Sequence, residues 1–484
     1  MRRATTWAAA AVLLGALLRF ATLDQQSFWL DEAYTVRFLS GSLGDTLGVL
    51  PEWESAPPVY YVLAWGWGQV LGFGESGLRS LSALAGTLTI PVAYAIGKRL
   101  ATPLTGVVAA GLVAVHPLLV WFSQEARAYS LVVLFASLSL LCFLRVLDDG
   151  RRQSWAWWAL WSALAIATHY FAGFLVLAEA AWLAGRMPRD RRMAVALGAV
   201  GATVLALAPL ALAQRSSGRA AYIGEGELPT RLLQVPKQLL TGYASPAQAL
   251  TTAAVGLVAL VALVRLARGR DARALLVVWL VAGTIGVPLL LVVAGQDYLN
   301  TRNVIVALPA LLVAVAAGLT GMTSRPDRTG SLAAAALGAV LLAVTLLVAS
   351  DERFQRDDWR EVAAALGPPS GQRAVVVSPG SGWIALELYR DGLRPLPAAT
   401  PTAVTEVDVV AIARRSETGG RDPAPAPPAV PVLPANLRPL SVQRDATATV
   451  VRYATMPSPF DVDPPTLAPA ALWPGDGAVM LLPR

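Results

Sequence analysis

Residues 6–34 read TWAAAAVLLGALLRFATLDQQSFWLDEAY. An apolar segment over residues 6–23 is long enough to cross a membrane, and an acidic pair, Asp31 and Glu32, follows it. Carboxylates close to a bilayer are costly, and where they occur they usually face water and take part in chemistry or ion binding. This stretch therefore predicts a membrane protein whose first loop carries a functional acidic pair.

The composition agrees with a membrane protein. Of 484 residues, 55% are hydrophobic and only 15% are charged, whereas a soluble domain has about a quarter charged. Continuous apolar runs argue against a β-barrel, whose strands alternate. The single cysteine, Cys142, excludes a disulfide framework and a cysteine-based metal site. The net charge of +7 lies in short loops between apolar segments, and we expect no nucleic-acid partner.

The apolar runs predict an α-helical polytopic membrane protein with about eleven transmembrane helices. The predicted spans are residues 6–23, 77–97, 103–121, 128–146, 154–168, 171–185, 193–212, 247–264, 273–294, 303–320 and 330–349. Lys and Arg mark cytoplasmic loops. The predicted cytoplasmic positives are Arg2, Arg3, Lys98, Arg99, Arg145, Arg151, Arg152, Arg186, Arg189, Arg191, Arg192, Arg265, Arg268, Arg270, Arg273, Arg325 and Arg328. We therefore expect a cytoplasmic N-terminus and an extracytoplasmic C-terminus.

Two segments decide this topology. Residues 57–74 are apolar, but they are short and rich in Tyr, Trp and Gly, so we interpret them as an interfacial or re-entrant helix within a first outer loop, residues 24–76. Residues 155–185 are too long for one span, and a break at Thr168-His169-Tyr170 divides them into two short helices.

The composition changes near residue 350, since 20 of the 34 prolines follow it and no further long apolar run appears. We predict a transmembrane domain over residues 1–350 and a small extracytoplasmic α/β domain over residues 351–484, with Pro/Ala-rich loops at about 422–435. The runs that resemble strands are Ala374–Ser378, Val407–Ala413 and Ala448–Tyr453.

Four polar clusters gather at the outer ends of the predicted spans. They are Asp31-Glu32 with Tyr34, in the loop that ends at Tyr60-Tyr61; Ser123–Tyr129; Thr168–Tyr170; and Gln296–Arg302. Each has an ordinary alternative: a solvated acidic pair, an ion pair between Glu125 and Arg127, a hydrogen-bonding His169 at a hairpin, and Arg302 as a boundary anchor. Together they meet one chemical demand, because a lipid phosphate leaving group needs Arg and a hydroxyl acceptor needs a carboxylate base.

At these residues the chain resembles the GT-C glycosyltransferase superfamily, and most closely the bacterial branch related to protein O-mannosyltransferases and lipid A aminoarabinose transferases. The motifs that carry the resemblance are Leu30-Asp31-Glu32-Ala33-Tyr34, Ala56-Pro57-Pro58-Val59-Tyr60-Tyr61, Ser123-Gln124-Glu125-Ala126-Arg127-Ala128-Tyr129-Ser130, Thr168-His169-Tyr170, Tyr298–Pro309 and Asp358-Trp359-Arg360. The chain departs from the family at two places. Some relatives carry a charged or His residue just before the Pro pair, where this chain has Ser55-Ala56, and Arg302 is followed by Asn303 where the family often has Tyr.

The resemblance implies a GT-C fold and transfer of mannose or a similar sugar from a polyprenyl-phosphate carrier to a hydroxyl acceptor, with inversion, at the outer face of a bacterial plasma membrane. Asp31 would be the general base, Glu32 would support it or contact the acceptor, and Glu125 would place donor or acceptor. The residues implied to bind the donor phosphate and substrate are Arg127, Arg302, His169, Tyr170, Tyr60, Tyr298 and Tyr129. The family is mixed in metal dependence, so a divalent cation (Mg or Mn) at Asp31 and Glu125 is left open, as is the acceptor: glycan, lipid or protein.

Two other functions are weighed against the enzyme. A transporter or flippase of lipid-linked sugars would require repeated halves, broken midplane helices and charges deep within spans. Here the charges gather at outer ends, and Glu179 is the main exception. A binding or assembly protein that holds cell-wall glycans would use its C-terminal domain, where no motif argues for it.

Overall fold

The computed structural model describes residues 2–187, 190–218, 226–269, 271–322, 328–368, 371–397, 401–413, 436–468, 471 and 477–482. Arg189, Arg270, Arg325 and the Pro/Ala-rich residues 422–435 lie outside them. The chain forms two compact units. The first, here the helical unit, comprises Met1–Leu23 and Phe38–Leu347; the second, here the C-terminal unit, comprises Asp24–Arg37 and Val348–Arg484.

The helical unit is built almost entirely of α-helices. With α2 and α17, which each contribute residues to both units, they are α1 (Arg2–Phe20), α2 (Leu30–Leu39), α3 (Leu43–Trp53), α4 (Val59–Leu71), α5 (Glu75–Leu100), α6 (Pro103–Val115), α7 (Pro117–Ser123), α8 (Tyr129–Asp149), α9 (Arg152–Thr168), α10 (Gly173–Arg186), α11 (Arg191–Ser216), α12 (Leu228–Thr241), α13 (Gln248–Arg268), α14 (Ala272–Val293), α15 (Thr301–Val304), α16 (Leu308–Thr320) and α17 (Arg328–Ser350).

The apolar helices confirm a polytopic membrane protein. Within the described ranges, seven helical segments are long and apolar enough to cross a membrane, or eight if the bent pair α6 and α7 forms one span. Three further helices at predicted spans, α1, α9 and α10, do not meet that criterion; α9 has only 17 residues and α10 only 14. The predicted break is confirmed, because α9 ends at Thr168 and a 3-10 turn at Tyr170–Ala172 precedes α10.

The predicted span at residues 103–121 is not continuous, since α6 and α7 are bent by 57° at their junction. Pro117 has no N–H to donate and interrupts the helix. Arg19 of α1 is fully buried and occupies the resulting gap: its guanidinium donates to the carbonyl oxygens of Val113 (3.0 Å) and Ala114 (2.8 Å) and to Ser123 Oγ (3.1 Å). Sequence reasoning gave Arg19 no role, yet it satisfies the carbonyls that the break leaves open.

The C-terminal unit is a mixed sheet with short helices. Its elements after α17 are α18 (Trp359–Leu366), β1 (Arg373–Ser378), α19 (Trp383–Glu387), β2 (Arg394–Pro395), β3 (Thr402–Val404), β4 (Glu406–Ile412), β5 (Leu437–Arg444), β6 (Ala448–Thr455), β7 (Phe460–Val462), α20 (Pro464–Leu467) and β8 (Ala478–Leu482). The main sheet has the order β2-β8-β1-β4-β6-β5, in which β1 and β4 are parallel, and β3 pairs with β7. The three strands predicted from sequence are confirmed as β1, β4 and β6.

A buried ion-pair network fixes α18 to this sheet. Arg373 lies 2.7 Å from Glu406 and 3.0 Å from Asp408, and Arg452 lies 2.9 Å from Asp408. Both arginines also donate to the carbonyl oxygen of Leu366, at the end of α18. Burial raises the pKa of Asp408 although both arginines act to lower it. Loss of one charged side chain from this network would leave an opposite charge uncompensated in the protein interior.

Candidate functional site

A cavity of about 620 Å³ opens in the helical unit. Its wall comes from the start of α8, the hairpin between α9 and α10, the end of α11 and the loop before α15. It brings together five of the ten residues that the sequence singled out: Tyr129, His169, Tyr170, Tyr298 and Arg302. Segments that are far apart in the sequence thus meet at one site.

Aromatic rings form a continuous part of the wall. The ring centroids of Tyr129 and His169 are 5.7 Å apart, those of His169 and Phe171 are 5.5 Å apart, and those of Phe171 and Tyr298 are 5.2 Å apart. These separations fall within the range of favourable tilted aromatic contacts. The rings therefore support one another and present a firm apolar surface with polar edges.

Arg302 brings positive charge to the same wall. Its guanidinium lies 5.9 Å from the ring centroid of Tyr129, and Nη1 is 3.4 Å from the Tyr129 hydroxyl. The Asn300 side chain accepts the Arg302 N–H at 3.1 Å, and Asn303 donates to the carbonyl oxygen of Tyr298 at 2.8 Å. Asn303, which stands where the family often has Tyr, thus holds the loop that presents Tyr298 and Arg302.

An ion pair anchors the other end of this loop to α12. Arg231 donates to Asp297 with two guanidinium nitrogens, one of them at 2.6 Å, and to the carbonyl oxygen of Leu299 at 3.1 Å. The hydrogen bonds from Arg231, opposed by partial burial, lower the pKa of Asp297. Asp297 is therefore an ionised anchor whose charge is already compensated.

Arg127 does not line the cavity, because its guanidinium forms a bidentate pair with Glu54. The Nη1–Oε2 and Nη2–Oε1 distances are 2.8 and 3.3 Å, and Nη1 also lies 3.0 Å from the Tyr61 hydroxyl, which in turn donates to Glu54. Both charged side chains are nearly buried. Sequence reasoning missed Glu54, because the charge that some relatives carry stands immediately before the Pro pair at 57–58, whereas Glu54 lies three residues before Pro57.

The electrostatic state of this region follows from burial and the arginines. Burial opposes ionisation of Glu54, but the Arg127 charge and the hydrogen bonds from Arg127, Tyr61 and the Ser55 N–H outweigh it, so the pKa of Glu54 is lowered. Burial together with the charge of Arg127 lowers the pKa of His169 to about 4, although Glu54 acts in the opposite direction. His169 is thus a neutral imidazole at physiological pH.

Gln214, near the end of α11, joins three parts of the site. Its Oε1 accepts from the Tyr170 hydroxyl at 2.8 Å, and its Nε2 donates to the carbonyl oxygens of Leu50 (3.1 Å) and Ala56 (3.0 Å). The side chain is almost fully buried. Sequence reasoning missed it because nothing in a run of apolar residues marks which polar side chain turns inward.

The remaining predicted residues of the helical unit lie elsewhere. Glu125 and Tyr60 are each about 1% exposed. The carbonyl oxygen of Glu125 accepts the Arg127 N–H at 2.8 Å, and the ring of Tyr60 meets that of Tyr61 edge-on at 5.2 Å. Neither residue is among those that line the cavity.

Asp31 and Glu32 occupy the first turn of α2, in the C-terminal unit. Negative charge is favourable there, because the helix dipole presents its positive end. Glu32 is buried and its Oε2 accepts the Trp29 N–H at 3.3 Å, whereas Asp31 is only partly buried. The two carboxylates thus differ in environment: Glu32 caps the helix and Asp31 is the more accessible.

Residues 55–213 match the model of the family described as dolichyl-phosphate-mannose-protein mannosyltransferase. The crystal structure of ArnT from Cupriavidus metallidurans bound to undecaprenyl phosphate is similar, with a TM-score of 0.53 and 13% identity over 93% of this chain and 98% of that chain. This is a GT-C fold. The fold class predicted from the sequence is therefore confirmed, and the family model supports the resemblance over residues 55–213.

Two further solved structures are similar to the chain. The apo state of the same ArnT gives a TM-score of 0.54 at 12% identity over 93% of this chain and 98% of that chain. The Archaeoglobus fulgidus oligosaccharyltransferase in complex with Zn and sulfate gives 0.48 at 13% identity, over 79% of this chain and 61% of its own. No curated protein matches the chain.

A divalent cation is the one cofactor that the GT-C resemblance left open. Within the described ranges, no three or more His, Cys, Asp or Glu side chains are grouped to hold a metal ion. Glu54, a carboxylate close to the cavity, is taken up by Arg127. The divalent cation stays an expectation from the resemblance, and the chemistry proposed below does not depend on it.

Glu179 of α10 holds a separate polar cluster within the helical unit. Its Oε2 accepts from Ser139 Oγ and from Trp158 Nε1, each at 2.8 Å, and Ser139 lies 2.8 Å from Ser162 Oγ. The cluster joins α8, α9 and α10 and is fully buried. It fixes the packing of the hairpin that carries His169.

Proposed function

We propose that the protein is a glycosyltransferase that moves mannose or a similar sugar from a polyprenyl-phosphate carrier to a hydroxyl acceptor on the extracytoplasmic face of the membrane. The observation that carries the proposal is the cavity in which Arg302 meets an aromatic wall. Its volume lies within the range of about 300–1,000 Å³ that is usual for small-molecule sites.

The donor phosphate is assigned to Arg302. A guanidinium matches phosphate geometry with paired donors and remains charged at any working pH. Arg127 was an equal candidate by sequence, but Glu54 compensates its charge, so it serves the site by holding the loop before the Pro pair. Negative charge develops on the phosphate oxygen as the glycosidic bond breaks, and a nearby cation lowers that barrier.

The sugar is assigned to the aromatic wall. The faces of Tyr129, Phe171 and Tyr298 suit the apolar face of a pyranose, while the neutral His169 and the tyrosine hydroxyls supply hydrogen bonds. The low pKa of His169 thus agrees with a binding role and not with acid catalysis.

Asp31 is assigned as the base. The acceptor O–H gives its proton to the Asp31 carboxylate, the acceptor oxygen forms a bond to the anomeric carbon, and the bond from that carbon to the phosphate oxygen breaks. Polyprenyl phosphate leaves with the bonding electron pair. A single displacement of this kind inverts the anomeric centre. Glu32, which caps its own helix, supports the position of Asp31.

The transporter alternative draws on the broken helix at α6 and α7. A transporter uses the open carbonyls of such a break to hold its substrate. Here Arg19 takes those of Val113 and Ala114, and Thr345 Oγ1 donates to that of Val115 at 2.8 Å. With these carbonyls satisfied by the protein, the break is structural, and the enzyme is favoured.

The proposal is tested with labelled polyprenyl-phosphate sugars in membranes that contain wild type, Asp31→Asn or Asp24→Asn. An amide cannot take the proton, so Asp31→Asn should lose at least about 99% of the transfer. Asp24→Asn removes an exposed carboxylate from the same segment and should retain it. Equal transfer by all three would remove Asp31 from the mechanism, and no transfer by wild type with any donor would refute the enzyme.

A further inference from the structure

The acidic segment, Asp24–Arg37, folds as part of the C-terminal unit although more than 300 residues separate the two in the sequence. The contact between this segment and the rest of the unit begins with hydrogen bonds made by Gln26 and Ser27, here called the seam. Ser27 is fully buried; its Oγ accepts the Trp359 N–H at 2.8 Å and donates to the carbonyl oxygen of Asp357 at 3.1 Å. Gln26 accepts the Arg356 N–H at 3.1 Å. The residues that lead into α2 are therefore held on both sides of Ser27.

Tyr389, in the turn after α19, closes the seam. Its hydroxyl oxygen accepts the N–H of Phe28 at 2.7 Å, and Phe28 is itself nearly buried. Arg360 lies above the Tyr389 ring, 5.7 Å from the centroid, and reaches the carbonyl oxygen of Asp24 at 3.4 Å. A buried N–H that loses its acceptor pays the full cost of desolvation, so this bond has a large effect on the backbone just before α2.

The helix itself packs on the same unit. Ala33 is fully buried in a cluster that includes Trp359 and Ile384. One turn later, the Arg37 guanidinium lies 5.2 Å from the ring centroid of Trp383, and its Nη1 is 3.4 Å from Glu387. The Arg37 contacts are exposed and contribute little. The buried Ala33 and the seam before it determine where α2 lies.

We propose that the C-terminal unit is the structural support that sets the position of Asp31 and Glu32, with Tyr389 and Ser27 as positioning residues. This also gives a role to Asp358-Trp359-Arg360, a motif that the proposed reaction leaves unused. Trp359 binds Ser27, Arg360 binds Asp24 and Tyr389, and Asp358 caps α18 by accepting the Arg360 N–H at 3.1 Å. The catalytic part of the inference rests on the proposed function, and the structural part does not.

The structural part is tested by hydrogen exchange on the full-length protein in lipid nanodiscs, comparing wild type, Tyr389→Phe and Tyr453→Phe. Tyr453 is a buried tyrosine of a different core cluster in the same unit, and serves as the matched control. Tyr389→Phe should accelerate exchange in peptides covering residues 24–37 by roughly tenfold, while β1, β4 and β6 remain protected as in wild type. Tyr453→Phe should leave residues 24–37 unchanged.

Unchanged exchange in residues 24–37 of Tyr389→Phe would overturn the inference. So would acceleration spread equally over the strands, since Tyr389 would then be a general stability residue. If Tyr389→Phe does not fold, Ser27→Ala gives the same test at the other half of the seam, with the exposed Ser441→Ala of β5 as its control.

Transfer kinetics test the catalytic part. Displacement of the base should lower kcat of Tyr389→Phe by about tenfold or more with KM for the lipid donor unchanged, because the donor cavity belongs to the helical unit. An unaltered kcat in a variant whose residues 24–37 exchange faster would overturn the claim that Tyr389 positions the base. If wild type transfers no sugar while Tyr389→Phe still accelerates exchange in residues 24–37, the proposed function fails and the structural part of the inference is retained.

Discussion

Arg127 and Glu54 form a bidentate ion pair, with Nη1–Oε2 and Nη2–Oε1 distances of 2.8 and 3.3 Å. The pair joins the start of α8 to the loop before α4. It changes the assignment of charges at the site, because the arginine of the Glu125-Ala126-Arg127 motif is already neutralised, whereas Arg302 and Arg215 line the cavity.

Glu54→Gln should destabilise the protein by about 3 kcal/mol, because it leaves Arg127 as a buried, uncompensated charge. Thermal unfolding in detergent measures this, and Glu52→Gln, an exposed change on α3, is the control. An unfolding temperature for Glu54→Gln equal to that of Glu52→Gln would contradict a structural role for the pair.

The same pair predicts a pH dependence. The folded pKa of Glu54 lies below its ordinary value of 4.5, so its contribution is fully present above that value and is lost as the pH falls through the folded pKa. The difference in unfolding temperature between wild type and Glu54→Gln should therefore be constant from pH 8 to about 5.5 and shrink below about 4.5. A difference that grows on acidification would have the wrong sign.

His169 should not titrate between about pH 5.5 and 8, because its pKa is lowered to about 4. The profiles of kcat/KM against pH for wild type and His169→Phe should differ in height but share one shape over that range. An inflection near pH 6.5 in wild type that His169→Phe lacks would show that the imidazole titrates at its ordinary pKa.

Gly86 should tolerate no side chain. A Cβ there would meet Ser123 Oγ and lie 3.0 Å from Arg19 Nε. Gly86→Ala should lower the free energy of unfolding by about 1–3 kcal/mol. Gly111→Ala, on α6 with open space around its Cα, should be neutral or slightly stabilising. Similar unfolding temperatures for the two variants would show that Arg19 does not need its present position.

Gln214→Met should leave the carbonyls of Leu50 and Ala56 without their donor, at a cost of about 1–3 kcal/mol, and should raise KM for the donor by loosening the cavity wall. Tyr170→Phe removes only one of the three bonds and should have a smaller effect. The unfolding temperatures of both variants and their KM for the donor test this prediction. A larger effect from Tyr170→Phe than from Gln214→Met would contradict the claim that Gln214 joins the three parts of the site.

The regular helices and strands were predictable from the sequence, because the periodicity and the length of apolar runs indicate them directly. The spans α5 and α8, the break at Thr168–Tyr170 and the strands β1, β4 and β6 were all expected within a few residues. The bend between α6 and α7 was not expected, because the run is apolar on both sides of Pro117 and proline is tolerated within membrane spans.

The site was predictable in part, for a similar reason. Motifs marked five residues of the cavity wall, because polar side chains at span ends stand out against apolar helices. They did not show pairing: Glu54 binds Arg127 across 73 residues, and Ser27 binds Trp359 across 332 residues. Contacts at such separation depend on packing, which short-range patterns do not contain, so neither Arg19 nor the place of Asp24–Arg37 could be inferred.

The most direct test of the account is the steady-state transfer of sugar from polyprenyl-phosphate donors by purified wild type, Arg302→Lys, Arg302→Ala and Arg353→Ala. Arg353 is exposed and pairs with Asp351 two residues away, so it is the control. We predict normal transfer by wild type and Arg353→Ala, a partial loss in Arg302→Lys, and a loss of at least about a hundredfold in kcat/KM in Arg302→Ala. Transfer by Arg302→Ala at the wild-type rate would contradict the cavity as the donor-phosphate site.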